Sequence, residues 1–339
     1  MAQPAFEHPT LNDCTKAFVR DLCDGQAVDS VFVVRERARR IKKNGDPFLK
    51  LRLADVTGSC DAVLWEGIDE VLEACCVGSV VRVSGHFSVD ARYGATLTLR
   101  SVRAAAEGEY EPADLHDAPT VAPEQMAADV RSLIATVQSP PLRALLRRLL
   151  AEDSETWARW SEAPAAKHYH QAYRHGLLEH CLSVAQAVSA VSATFPGIDR
   201  DVAVTGALLH DIGKIEAYES VGDGIEMTDA GRLQGEIPLG YHMVRREIES
   251  IPGFPPDTAQ AVLHIILSHH GSLEHGSPVV PCTREATLVH MMDNLGGRLG
   301  SFDRIEKTLA DGEQWSAFDR GISAAAYFPR PGWDERAVA

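Results

Sequence analysis

The sequence predicts a multidomain protein, an all-β barrel at the N-terminus followed by an all-α domain. Three observations carry this. Residues 27–105 break into short β-rich runs separated by turn residues. Residues 106–123 are acidic and hold three prolines, the composition of a surface linker. From residue 124 onward apolar residues recur at helical spacing. The expected division is an N-terminal segment (1–26), a barrel domain (27–105), a linker (106–123), a helical domain (124–307) and a C-terminal tail (308–339).

Within the first domain the strand runs are Ala27–Val34, Phe48–Leu53, Cys60–Leu64, Ser79–Phe87 and Thr96–Val102. Asn44-Gly45-Asp46-Pro47, Thr57-Gly58-Ser59 and Arg92-Tyr93-Gly94 supply the turns. Gly67–Cys76 has helical spacing. Five strands with one helix after the third is the order of an OB-fold barrel. A basic run, Arg35, Arg37, Arg39, Arg40, Lys42 and Lys43, is expected between the first two strands. An OB-fold places a nucleic-acid loop there. Such a run either follows a phosphate backbone or forms a solvated hairpin face. Phe32, Phe48, Trp65, Phe87 and Tyr93 are candidate stacking platforms for bases, although most aromatics of a small barrel belong to its core.

In the second domain the helical runs are Ala127–Val137, Leu142–Leu150, Leu177–Val191, Asp201–Leu209, Leu239–Ile251, Thr258–Leu267 and Ala286–Leu299. Pro140-Pro141 fits a helix start. Strand signals are nearly absent here. The tail beyond Lys307 is mixed, and loose packing is expected of it.

Charge is divided unevenly. Residues 1–106 hold 14 basic and 14 acidic residues, so the net charge of −15 lies entirely in the remainder. An acidic body repels nucleic acid unless metal ions or a local basic patch offset it. Hydrophobic residues at 45% and charged residues at 24% exclude a mostly disordered or fibrous chain. No run approaches the ~20 apolar residues of a membrane span. The N-terminal residues do not have the pattern of a signal peptide. Seven cysteines, two of them adjacent at Cys75 and Cys76 and none in a CxxC pair, do not form a disulfide framework. A cytoplasmic location with free thiols is expected.

The chemistry concentrates in histidines and carboxylates. His210-Asp211 ends an apolar helical run and is followed by Gly213 and Lys214. His180 precedes it by thirty residues, and His269-His270 and Asp293 follow. Imidazole nitrogen and carboxylate oxygen are ligands for Zn, Mn, Fe and Mg. A single His on a helix is usually structural, and an isolated His-Asp pair is common. The ordered set, each member near the end of an apolar helix, is harder to obtain by chance. Adjacent residues on a helix point ~100° apart, so His210 and Asp211 either meet one ion at a rim or bridge two. At a rim their replacement would leave the fold largely intact.

These residues resemble the metal-dependent HD-domain phosphohydrolases. More narrowly, HYHQAYRHGLLEHCLSV, ALLHDIGKIEAYE, TDAGRLQGEIPLG, ILSHHGSLEHGSP and HMMDNLGG resemble the YhaM family of 3′–5′ exoribonucleases. The resemblance covers roughly residues 15–307 and implies an OB-fold domain in front of an HD domain. It implies a first metal site of His180, His210, Asp211 and Asp293, with further ligands near Glu236 and in His269-His270. Family members usually have histidine where this chain has Glu236. A carboxylate can still ligate, and it would favour Mn or Mg; a failure to ligate would leave one metal.

Lys214 has two readings, a cation neutralising a helix C-terminus or, as the resemblance implies, a group holding substrate phosphate beside the catalytic Asp211. His168, His170 and His175 precede His180; they either contact substrate phosphates or stand as exposed loop imidazoles. Glu179 is expected to be structural. The function implied is hydrolysis of single-stranded RNA to 5′-mononucleotides, with single-stranded DNA as a second substrate. One or two divalent ions per chain, Mn2+ favoured and Mg2+ or another transition metal as alternatives, would lower the pKa of the attacking water. A homo-oligomer with no membrane partner is expected. The competing readings are a phosphohydrolase acting on a small or cyclic nucleotide, and an inactive RNA-binding protein.

Overall fold

The computed structural model describes residues 16–42, 44–90, 94–116, 118–167, 171–221, 224–309 and 312–329. The chain forms two compact units, Met1–Glu111 and Pro112–Ala339.

The first unit is a closed barrel of β1 (Ala27–Ile41), β2 (Pro47–Asp55), β3 (Gly58–Leu64), β4 (Val80–Asp90) and β5 (Gly94–Ala104), in the order β1-β2-β3-β5-β4. Helix α1 (Ile68–Val71) lies between β3 and β4. The first half of β1 pairs with β4 and the second half with β2, with a register irregularity between Val34 and Glu36. Strands β3 and β5 pair in parallel and close the barrel. Alternation along the strands sends Phe32, Leu49, Leu51, Leu53, Val81, Val83 and Leu97 into the interior. This is the OB-fold arrangement.

The basic run differs from its expected form. The residues Arg35 to Arg40 do not make a loop; they extend β1, whose Arg37 and Arg39 pair with Leu51 and Leu49 of β2. The reason is that β2 offers ladder partners from Pro47 onward, so the strand runs on until the Asn44-Gly45 turn.

The second unit is helical. Its helices are α2 (Pro112–Leu115), α3 (Pro123–Ala135), α4 (Pro140–Leu150), α5 (Glu155–Glu162), α6 (Gly176–Ser192), α7 (Arg200–Leu209), α8 (Lys214–Ala217), α9 (Asp229–Gln234), α10 (Glu236–Glu249), α11 (Pro256–Ser268) and α12 (Arg284–Thr308). Their apolar faces share one core built on residues such as Leu146, Trp160, Leu177, Cys181, Leu208, Val244 and Ile266. Side-chain caps start the helices that carry site residues: Asp199 accepts from Val202 N at 3.1 Å before α7, and Thr283 from Ala286 N at 3.1 Å before α12.

Strand signals were nearly absent from this half, yet two hairpins form, β6 (Tyr218–Val221) with β7 (Gly224–Met227), and β8 (Trp315–Asp319) with β9 (Ala324–Tyr327). Runs this short carry too little periodicity to be seen. The second hairpin also corrects the expectation of a loose tail, since Ile322 and Ala326 pack with Ile305 of α12 in a small cluster of their own. Within the supposed surface linker, Leu115 of α2 is fully buried. Among the described residues no helix is long and apolar enough to cross a membrane.

Candidate metal centre

Helices α7 and α11 both end at one place. An α-helix leaves its last carbonyls without intrahelical donors. His210, the first residue past α7, gives its Nδ1 to Ala207 O at 2.7 Å. His269, the first past α11, does the same to Ile266 O at 2.8 Å. A carbonyl only accepts, so both rings carry their proton on Nδ1 and turn a bare Nε2 inward. Two helix C-termini also bring partial negative charge to the spot, which favours a cation.

His180 from α6 and Asp293 from α12 complete the cluster. His180 Nε2 lies 3.2 Å from His210 Nε2, 3.3 Å from Asp211 Oδ2 and 3.1 Å from Asp293 Oδ1. Asp211 faces both ways: Oδ2 is 3.4 Å from His210 Nε2, and Oδ1 is 3.3 Å from His269 Nε2. Among the described residues the donor atoms form three overlapping groups in which ligands lie within 4.8 Å: His180, His210 and Asp211; His210, His269 and Asp293; and Asp211, His269 and His270.

Among the described residues, Asp211 Oδ1 and His269 Nε2 are buried and have no hydrogen-bond partner. A carboxylate oxygen and an imidazole lone pair 3.3 Å apart repel unless a cation lies between them. The residues therefore fit a divalent metal ion.

The site is not a rim. His210 and Asp211 are 1% and 2% exposed, so their replacement disturbs the interior, contrary to the expectation of a largely unaffected fold. Burial opposes charge on Asp211, but Lys214 overcomes it and holds the carboxyl well below the usual range. Burial likewise opposes charge on Asp293, where the hydrogen bond from His180 wins. Burial pulls His180 down, yet Asp211 and Asp293 raise it to about 9.

A pH dependence follows. In the metal-free protein the extra His180 proton is stabilising below its ordinary value of 6.5, and that contribution is lost as pH rises through about 9. Metal and proton compete for Nε2. Apparent metal affinity should therefore rise with pH, by up to ~10-fold per unit for one displaced proton, and level off near pH 9. Calorimetry in buffers of different ionisation enthalpy should count close to one proton released per ion; affinity that falls with pH across this window excludes His180 as a ligand.

Lys214 begins α8, a single four-residue turn in which it also counts in the last turn. Its Nζ donates to Asp211 Oδ2 at 2.6 Å. Burial would deprotonate Lys214, but Asp211 holds its pKa above the ordinary lysine value. Glu236 is the first residue of α10, and its Oε1 lies 3.7 Å from His270 Nε2. Gly213 allows this approach: a Cβ there would sit 2.0 Å from Glu236 O and 2.4 Å from Gly240 N.

His175 is not brought to the cluster by its hydrogen bonds; its Nδ1 bonds Ser161 O at 2.6 Å as α6 begins. His168, His170, Lys43 and Tyr93 lie outside the described residues. In the barrel unit Arg37 bonds Leu72 O at 2.8 Å, Arg39 pairs with Asp69 at 3.5 Å, and Lys42 bonds Trp65 O at 3.0 Å. Phe32 and Phe87 are core, whereas Trp65, 42% exposed, packs on Phe48 at 4.9 Å between ring centroids.

Two residues were not found from sequence. His290 Nδ1 bonds His269 O at 2.7 Å, and Gln171 Oε1 meets His180 Nδ1 at 3.2 Å. Each acts through a neighbour, so no ligand pattern marks it; the only cue was their presence within the quoted motifs.

The HD domain family matches residues 177–297, which span the cluster from α6 to α12. The fold and the donor set thus define an HD domain behind an OB-fold barrel. The 3′-5′ exoribonuclease YhaM of Geobacillus sp. (strain WCH70) is 31% identical over 291 residues, covering 85% of this chain and 88% of that protein. That of Bacillus velezensis is 30% identical over 294 residues, covering 85% and 90%. The chain belongs to the YhaM family of 3′–5′ exoribonucleases. Among solved structures, the second OB-fold domain of replication protein A from Methanococcus maripaludis aligns with 29% of this chain and all of that one, at 19% identity and a TM-score of 0.23.

Proposed function

We propose that the protein is a metal-dependent 3′–5′ exoribonuclease that hydrolyses single-stranded RNA to 5′-mononucleotides, with single-stranded DNA as a secondary substrate. The observation that carries this is the pair of buried atoms Asp211 Oδ1 and His269 Nε2, without a hydrogen-bond partner among the described residues, inside a cluster of histidines and carboxylates. The direction of cleavage rests on the names of the relatives.

In this reading His180, His210, Asp211 and Asp293 hold one divalent ion, and Asp211, His269, His270 and Glu236 hold a second, with Mn2+ favoured by the oxygen donors. Bound there, the ions would supply Lewis acidity to the phosphodiester and lower the pKa of the attacking water. Lys214 stays protonated beside Asp211 and offers its remaining donors to the non-bridging phosphate oxygens as negative charge grows. Incubation of 5′-labelled single-stranded RNA with and without Mn2+, products resolved by size, tests the reading. A metal-dependent ladder shortening from the 3′ end supports it; turnover confined to small or cyclic nucleotides overturns it.

The barrel unit, residues 27–105 in this reading, supplies RNA affinity through Arg35, Arg37, Arg39, Arg40, Lys42 and Lys43. All three arginines are exposed, but Arg37 is held by Leu72 O at 2.8 Å whereas Arg39 has only a 3.5 Å surface ion pair with Asp69, so Arg39 and Arg40 are the side chains freer to turn to phosphate. Replacing both by glutamine should flatten the salt dependence of RNA binding by up to ~1.4 in log–log slope, at ~0.7 per contact on a single strand. An unchanged slope returns the run to a solvated strand face.

A further inference from the structure

Three of the clustered histidines give Nδ1 to main-chain carbonyls: His210 to Ala207, His269 to Ile266 and His270 to His275. A backbone carbonyl cannot donate, so these tautomers are fixed by the fold. His180 differs, because its Nδ1 meets the side-chain amide of Gln171 at 3.2 Å. An amide has two ends. With oxygen toward His180, the ring keeps its proton on Nδ1, and Nε2 is the nitrogen left to a metal once the metal displaces its proton. Turned over, the NH2 end would draw the lone pair to Nδ1 and put the proton on Nε2, the atom that must face a metal.

Glu179 decides which end faces His180. Its Oε2 accepts from Gln171 Nε2 at 3.2 Å and from the Tyr173 hydroxyl, while Oε1 accepts from Thr120 N at 3.4 Å. A carboxylate only accepts, so it holds the NH2 end of Gln171 on its own side. Gln171 is kept in place at a backbone cost, with φ of 56° in the left-handed region. Its carbonyl accepts from Ala165 N at 3.1 Å, and Gly176 leaves it room, since a Cβ there would lie 2.0 Å from Gln171 O.

We propose that Glu179, acting through the Gln171 amide, fixes the tautomer of His180 and thereby sets the affinity of the first metal site. Both are positioning residues, neither touching metal nor substrate. This rests on the reading of His180 as a ligand.

The test is titration of the full chain with Mn2+ by calorimetry, beside the thermal midpoint of each metal-free protein. Glu179→Met frees the amide and should weaken Mn2+ binding roughly 10–100-fold, the scale for losing a partner that orients a ligand. Adding Gln171→Glu to Glu179→Met should recover most of the loss, because a carboxylate at position 171 accepts from Nδ1 whichever way it turns. A merely structural Glu179 would give no such rescue. If Glu179→Met does not fold, Gln171→Met carries the same expected weakening, and wild-type affinity there overturns the relay. His180→Ala separates the two levels. Wild-type affinity in His180→Ala sinks the ligand reading and the proposal with it. Loss in His180→Ala with no change in Glu179→Met, or a loss there that Gln171→Glu does not repair, overturns the proposal alone.

Discussion

Asp211→Asn is expected to abolish hydrolysis and to strip the protein of bound metal. Asp211 lies within 3.4 Å of the Nε2 atoms of His180, His210 and His269, so one substitution removes a ligand from both proposed ions. The loss should exceed the ~10–100-fold that follows removal of a ligand's outer partner. Stability should fall as well, because Lys214 is left in a largely buried position without its counter-charge. Breaking a buried pair in this way costs about 3–5 kcal/mol. Lys214→Met in the Asp211→Asn background should recover the thermal midpoint and leave the metal absent. Elemental analysis with calorimetric melting checks both halves. Retention of a tenth of wild-type activity, or a full metal complement, would exclude Asp211 as a bridging ligand. His210→Ala should likewise lose metal and activity.

The second large effect is expected at Glu236, the first residue of α10. If Glu236 and His270 share an ion, Glu236→Ala should remove one metal equivalent per chain and most activity. Glu236→His should restore the metal with a preference moved away from Mn and Mg, since nitrogen is the softer donor. The distance of 3.7 Å from Glu236 Oε1 to His270 Nε2 supports the shared ion. Metal counting decides it: equal stoichiometry in wild type and Glu236→Ala removes Glu236 from the ligand set, and both substitutions should then be nearly neutral.

The sequence by itself determined the order of the five barrel strands, the helical half and the identity of the convergent His and Asp residues. Strand alternation and helical spacing report which face of each element is buried, and that is local information. Leu49, Leu51 and Leu53 alternate into the barrel as their spacing requires. The pattern around His210-Asp211 was likewise legible, because ligand chemistry restricts residue type.

Only tertiary structure decided the rest. Whether Asp211 reaches one histidine or three depends on how α6, α7, α11 and α12 pack, which no local period encodes. That Lys214 opens a helix follows from the chain leaving α7 through a tight turn at residues 210–213. The basic run became strand because β2 pairs with it across a turn, and pairing is a property of two segments. Gln171 and Glu179 gained their roles only when the fold set an amide between a carboxylate and an imidazole. Side chains that act through a neighbour leave no signature in composition or spacing, since their chemistry is defined by distance.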